Sequence, residues 1–255
     1  MLAIIGGTGV YDPAFLTESQ ERTVKTPYGD VPVLVGQGPR GPVAFLARHG
    51  RQHGIPPHKI NYRANIWALK ELGVQGIIAT AAVGSLRRDL PPRTFVLLDQ
   101  FIDFTKSRCT TFYDGAGGKV VHTDFTEPYC PRLRQYLQGA AKEVGIELRP
   151  TGCYVTTEGP RFETPAEVAM FGRLGGDVVG MTGVPEVVLA REVGICYATV
   201  AMVTNYGAGL SQQPLTHEEV DETMNQLRGQ LRNLLSASLE SVPGEEKACC
   251  GGEMI

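Results

Sequence analysis

What the 255-residue sequence lacks narrows its class first. No apolar run approaches the roughly 18–20 residues that cross a bilayer, so a membrane-spanning helix is not expected. Basic and acidic side chains number 24 and 27, for a formal net charge of −3. With no cluster of lysines and arginines, nucleic acid is not an expected partner. The six cysteines form no CxxC pair. No group of ligating side chains has metal-site spacing, so no metal is expected. The opening MLAIIGGTG has no charged leader and turns glycine-rich after five residues, so the expectation is a soluble cytoplasmic chain without a signal peptide.

What is present fits an α/β chain. Glycine (31) and proline (17) are plentiful, as tight strand–helix connections require. The length allows one or two domains. No repeat, low-complexity segment or linker divides the chain, so one domain is expected over residues 1–241, with a tail at 242–255. Cys153 and Cys196 sit in strand-like runs and are expected to be small core residues. The tail, with Cys249 and Cys250, has no periodicity and reads as a loose terminus, a redox or inter-subunit role being the alternative.

Leu2 to Ile5 reads as a buried strand, and Gly6-Gly7-Thr8-Gly9 as a glycine loop. Such a loop can present N–H groups and a hydroxyl to phosphate, but it is not GxGxxG and no P-loop lysine follows, so a tight turn serves as well. Strand-like segments between Thr23 and Ala47 suggest a meander. The last ends in Arg48-His49-Gly50-Arg51-Gln52-His53. Arginine offers phosphate a planar fork and histidine can add a donor, so this strand end is either an anion site or a solvated loop. A helix is expected over Pro56 to Leu72, with Trp67 in the core. Further strands are expected at Val74 to Ala82 and Phe95 to Phe104, and a helix at Arg132 to Val144. The stretch from Lys106 to Phe125 is polar and irregular, and loops this long are usually functional or interfacial.

The richest stretch runs from Tyr154 to Tyr206. Val178-Val179 leads to Gly180-Met181-Thr182, and Ile195 to Val203 leads to Thr204-Asn205-Tyr206. Open α/β sheets bind ligands beyond the carboxyl ends of their strands, which makes Met181, Thr182, Asn205 and Tyr206 candidates for one shared site. The loop Glu158-Gly159-Pro160-Arg161-Phe162-Glu163 is a third element able to face it. Helices are expected at Pro165 to Leu174 and Pro185 to Val193. Thr216, with Glu219 three residues on, opens a last helix to about Ser241 as a capping box.

Several motifs in order carry a resemblance that runs from Leu2 to the last helix. They are Ile4-Ile5-Gly6-Gly7-Thr8-Gly9, Ala47-Arg48-His49-Gly50, Asn61-Tyr62-Arg63-Ala64-Asn65-Ile66-Trp67-Ala68-Leu69, Glu158-Gly159-Pro160-Arg161-Phe162 and Met181-Thr182-Gly183-Val184-Pro185-Glu186. Together they resemble the trimeric purine nucleoside phosphorylase and methylthioadenosine phosphorylase family. The resemblance implies a mixed, twisted central β-sheet surrounded by helices. It implies a homotrimer or a dimer of trimers acting on a purine nucleoside and inorganic phosphate, with no cofactor. By the same resemblance Thr8, Arg48, His49 and Thr182 bind phosphate, with backbone from a loop at Ala81-Ala82, where methylthioadenosine phosphorylases carry Thr-Ala. Met181 lies against the ribose, and His122 is lent to a neighbouring subunit's ribose pocket. Phe162, Tyr206 and Gly207 join the substrate residues, and Asn205 and His49 are the catalytic candidates.

Bond polarity speaks to the base. A 6-oxopurine presents acceptors at O6 and N7, which an Asn amide can donate to; adenine offers a donor at N6. Asn205 therefore suits a 6-oxopurine, where the methylthioadenosine enzymes carry Asp. Glu163 suits the N1–H of hypoxanthine or guanine, where they carry Ser. His217 resembles the residue that meets a ribose 5′-hydroxyl. Singly, these three are equally a turn residue, a solvated carboxylate and a helix-opening residue. Jointly they imply phosphorolysis of inosine and guanosine. Methylthioinosine or methylthioadenosine phosphorolysis is the alternative, and a non-catalytic purine sensor is the alternative outside enzymes.

Overall fold

The computed structural model describes residues 1–10, 13, 15–115, 118, 120–211 and 215–243, excepting the side chain of His217. In chain order the strands and helices are β1 (Leu2–Gly6), β2 (Thr17–Val24), β3 (Val31–Gly38), β4 (Gly41–Ala47), α1 (Tyr62–Glu71), β5 (Gly76–Ser85), β6 (Phe95–Leu97), β7 (Gln100–Phe104), α2 (Pro131–Glu143), β8 (Leu148–Arg149), β9 (Cys153–Thr157), α3 (Pro165–Arg173), β10 (Val178–Gly180), α4 (Gly183–Glu192), β11 (Cys196–Tyr206) and α5 (His217–Ser241). All eleven strands join one mixed sheet, which is the α/β architecture the sequence implied.

β1 lies between β4 and β5 and is parallel to both, and β5 is parallel to β11 along its length. β3 and β4 form an antiparallel pair within the expected meander, and β2, most of which precedes Thr23, adds a third antiparallel strand that was not expected. Unlike the exposed edge strand β2, the central strands β1, β5 and β11 are mainly apolar because both of their faces are covered. Period-two alternation divides them between two cores. Ala3, Ile5, Ile77 and Ala79 pack with α1 and α4 on one face. Ile4, Ile78, Ala198 and Val200 pack with α2 and α5 on the other. α3 closes a smaller cluster through Val168 and Phe171.

Some boundaries differ from the sequence reading. The helix expected from Pro56 is a 3-10 turn at Pro57–Lys59, followed by α1. Pro57 forces Pro56 into the extended region (ψ 155°), and Asn61 then caps α1 by accepting from Ala64 N. The run Phe95 to Phe104 is two strands parted at Leu98-Asp99. Trp67 is half-buried rather than core. Its ring packs edge-on against Tyr28 and Phe112, and its Nε1 donates to Glu71. Of the cysteines expected in the core, Cys196 is buried and Cys153 half-buried. Val242, at the head of the expected tail, is buried against α2 and α5. Cys249 and Cys250 lie outside the described residues.

Candidate active site

The site sits where the sheet opens. β1 is paired to β5 only as far as Ala79, and β10 meets β5 only from Gly84 onward. Between them, among the described residues, one edge of β5 has no strand beside it. Ala81 and Ala82 are therefore strand residues, not the loop the resemblance implied. Thr80 O lies on that open edge and accepts from Arg48 Nη1 (2.9 Å). Alternation puts the Ala82 N–H on the same edge two residues on. The carboxyl ends of β1, β4, β10 and β11 converge around this gap, and a cavity of about 380 Å³ fills it.

Arg48 follows β4 and is buried to 2% exposure. Its Nε donates to Glu186 Oε2 (2.7 Å) and its Nη2 to Glu186 Oε1 (2.6 Å). Tyr197 Oη also donates to Glu186 Oε1 (2.6 Å). Three of the five guanidinium N–H groups are thus spent within the described residues, and two remain for a ligand. Gly7 N donates to Thr80 Oγ1 (2.9 Å), which turns the glycine loop toward Arg48. A Cβ on Gly7 would meet Thr80 O at 2.7 Å and Arg48 Nη1 at 2.9 Å, so only glycine fits there. Thr8 lines the cavity beside it. On the opposite wall, Thr182 precedes α4 and its hydroxyl makes no capping bond. Thr182 N (3.2 Å) and Gly183 N (3.3 Å) donate to Tyr154 Oη, which pins this wall from behind.

His49 Nδ1 lies 2.8 Å from Ile55 O. A carbonyl only accepts, so Nδ1 carries the proton and Nε2 carries the lone pair. Burial lowers the imidazole to a pKa of about 4 against the help of the Ile55 carbonyl, and Arg48 and His53 beside it act in the same direction as burial. The ring stacks on His53 at 4.6 Å. Near neutral pH His49 therefore presents an acceptor to the cavity, not the donor anticipated from its residue type.

At the other end stand Asn205 and Glu163. β11 bulges between Val203 and Asn205. Thr204 Oγ1 donates to Asn205 Oδ1 (2.8 Å), and Asn205 Nδ2 donates to Tyr206 O (2.9 Å). The Tyr206 carbonyl, which only accepts, settles which amide atom is which, and one N–H of Nδ2 is left for a ligand. Glu163 Oε1 accepts from Thr157 Oγ1 (2.6 Å). Burial raises this carboxyl above the usual range, with the Thr157 bond opposing. Met181, Phe162, Gly207, Ala81 and Ala82 are also part of the lining.

Two residues named from the sequence lie outside this cavity, one of them, His122, expected to serve a neighbouring subunit. Tyr206 is outside the lining, and its hydroxyl donates to Arg88 O (3.3 Å). Adjacent residues of a strand face opposite sides, so with Asn205 turned in, Tyr206 turns out. His122 is exposed and also outside the lining. Its loop is tied to the far end of α4, where Glu192 accepts from Thr111 Oγ1 and Phe112 N. Glu192 ends α4, at the opposite end of that element from Thr182. His217 opens α5, but its side chain lies outside the described residues. Glu186 and Thr80 had not been singled out. Glu186 carried a signal, being a lone carboxylate in the apolar run Val184-Pro185-Glu186-Val187-Val188-Leu189, where burial demands a cation. No group of three or more metal-ligating side chains occurs among the described residues, and none of their helices is long and apolar enough to cross a membrane.

Known proteins are similar to this chain in sequence and fold. The family model described as the phosphorylase superfamily matches residues 1–240. A probable 6-oxopurine nucleoside phosphorylase of Dictyoglomus turgidum is 58% identical over 249 residues, covering 98% of this chain and 94% of the relative. The 6-oxopurine nucleoside phosphorylase of Pyrococcus furiosus is 56% identical over 255 residues, covering 98% and 96%. Among solved structures, methylthioadenosine phosphorylase from Schistosoma mansoni in complex with adenine superposes with a TM-score of 0.92 at 37% identity, over 96% of this chain and 92% of that one. With a family match along nearly its whole length and relatives at this identity, the chain belongs to the phosphorylase superfamily, and within it to the nucleoside phosphorylases, which are pentosyltransferases.

Proposed function

We propose that the chain cleaves 6-oxopurine nucleosides, inosine and guanosine, with inorganic phosphate to give the free base and a pentose 1-phosphate. The observation that carries this is the pairing of Asn205 and Glu163 on one cavity that Thr8, Arg48 and Thr182 also line. The remaining N–H of Asn205 suits one purine acceptor, O6 or N7, and the second oxygen of Glu163 suits N1–H. Adenine has no N1 proton and offers a donor at N6, so it leaves buried groups unpaired at about 1–3 kcal/mol each.

In this reading a phosphate oxygen forms a bond to C1′ as the C1′–N9 bond breaks, its electron pair passing to the purine. The purine takes up one proton and the phosphate, becoming an ester, gives one up. Thr8, Arg48, Thr182 and the Ala81-Ala82 backbone hold the phosphate, whose negative charge stabilises the positive charge growing on the sugar. Neutral His49 accepts from the protonated phosphate oxygen through Nε2. Asn205 stabilises the negative charge growing on the purine. The reaction asks for no cofactor or metal. The working unit is a homotrimer or a dimer of trimers in the cytoplasm, with His122 serving a neighbouring subunit.

A second reading has a specific observation behind it. Leu215 and Val220, at the start of α5, add apolar surface to the cavity, which favours a 5′-methylthio group over a 5′-hydroxyl; His217 argues the reverse. Phosphorolysis of inosine, guanosine, adenosine, methylthioinosine and methylthioadenosine, run side by side with and without phosphate, separates the cases. Phosphate-dependent release from inosine and guanosine alone is expected. Faster release from methylthioinosine would keep the base assignment and reverse the role of His217. Faster release from methylthioadenosine would overturn the base assignment, and no phosphate-dependent release would leave a purine sensor.

A further inference from the structure

Arg108 comes from the long irregular loop after β7, yet its side chain is 1% exposed. Its Nη1 donates to Val184 O (2.7 Å) and to Tyr62 Oη (3.2 Å). Its Nη2 donates to Thr157 O (3.1 Å) and Glu158 O (2.8 Å). The guanidinium also lies over the Tyr62 ring, 5.4 Å from its centroid. One side chain thus ties together the end of β9, the start of α4 and the start of α1. Glu158 returns the contact: its carboxylate accepts from Lys106 N (2.8 Å) and Ser107 Oγ (2.8 Å), and stands 3.7 Å from Arg108 Nε.

These bonds bear on the two halves of the cavity unequally. Thr157 and Glu158, whose carbonyls Arg108 holds, open the loop that carries Phe162 and Glu163, and Thr157 itself anchors the Glu163 carboxylate. The next residue, Gly159, has a positive φ of 66° and packs on Met181: a Cβ there would come within 2.6 Å of the Met181 sulfur. The phosphate-side wall has anchors of its own. Tyr154 holds Thr182 and Gly183, and Glu186 holds Arg48.

We propose that Arg108 is a positioning residue for the purine half of the site: by bolting the Glu158–Glu163 loop to the Val184 shoulder it sets where Glu163 stands relative to Asn205. The proposal rests on reading this cavity as a 6-oxopurine nucleoside site. The geometry asks for a guanidinium. Four acceptors on three segments need a planar fork, and a lysine ammonium reaches fewer of them.

The test is separate titration of the intact chain with hypoxanthine and with inorganic phosphate, for wild type, Arg108→Met, Arg108→Lys and Arg108→Ala. Both Arg108→Met and Arg108→Lys are expected to weaken hypoxanthine about tenfold or more and phosphate by less than about twofold, with a matching rise in the KM for inosine. Added guanidinium ion is expected to restore part of the hypoxanthine affinity to Arg108→Ala. Unchanged hypoxanthine affinity, or equal weakening of both ligands, overturns the proposal. Should these variants fail to fold, Glu158→Gln gives the reading: a selective loss of hypoxanthine affinity supports it and none overturns it. A wild type that binds adenine in place of hypoxanthine defeats the base assignment alone, and the Arg108 comparison is then read with adenine.

Discussion

Glu186 grips Arg48 through two bonds of 2.7 and 2.6 Å in a place where the side chains are 0% and 1% exposed. The pair is close to neutral as a unit. What Arg48 offers an incoming anion is therefore direction, with two N–H groups aimed by the partner that holds the rest. Tyr197 steadies the carboxylate from its other side. Breaking such a buried pair leaves an uncompensated charge and typically costs about 3–5 kcal/mol. Glu186→Gln is expected to lose stability on that scale in urea unfolding and to raise the KM for phosphate more than that for the nucleoside. Wild-type values for both would mean that something other than Glu186 orients Arg48.

Asn205 is fixed by Thr204 on one amide atom and by Tyr206 O on the other. Asn205→Asp replaces the donor at 2.9 Å from Tyr206 O with a second acceptor, and it faces O6 and N7 with acceptors as well. The kcat/KM for inosine is expected to fall by about 100-fold or more. The gain on adenosine is expected to be small, because the Tyr206 carbonyl repels the new oxygen. Inosine turnover at the wild-type rate would remove Asn205 from the base site.

How much of this was legible in the sequence differs residue by residue. The strands β1, β5 and β11 announced themselves because a strand covered on both faces must be apolar throughout. Strand ends of mixed polarity pointed to the cleft for the same reason, and Thr8, Arg48, His49, Thr182, Glu163 and Asn205 do meet at one cavity. Tyr206 could be set aside by period two only once Asn205 is known to turn in, because the bulge lets Thr204 line the cavity as well. Glu186 was readable as a charge in an apolar run. Arg108 was not, because its partners are mainly backbone carbonyls, to which no side-chain pattern points. The tautomer of His49 was equally hidden, since it is decided by the carbonyl of Ile55 in the turn that follows.

The low pKa of His49 has a consequence for stability. An unperturbed imidazole titrates near 6.5, and burial takes this one to about 4. Between those values an unfolded chain binds a proton here and the folded chain does not. The contribution of His49 to stability is therefore complete above pH about 6.5, shrinks as the pH falls toward about 4, and changes no further below. In phosphate-free urea unfolding, wild type is expected to lose more stability than His49→Gln between pH 7 and pH 4.5. Parallel losses would mean that His49 is charged in the folded chain.

Glu163 moves the opposite way. Burial raises its carboxyl, while the hydroxyl of Thr157, bonded at 2.6 Å, favours the ionised form and limits the rise. Only the ionised carboxylate accepts fully from a purine N1–H, so protonation removes the partner that a 6-oxopurine needs. The kcat/KM for inosine is expected to fall on the acid side at a pH above the ordinary carboxylate value of about 4.3. Glu163→Gln is expected to lower kcat/KM at neutral pH by about tenfold or more, the loss of a charge-assisted bond, and to abolish that acid limb. Thr157→Val removes the donor that stabilises the charge, so the limb is expected to move to higher pH while the neutral-pH rate changes less. If the limb stays where it is in Thr157→Val, the group titrating there is not Glu163.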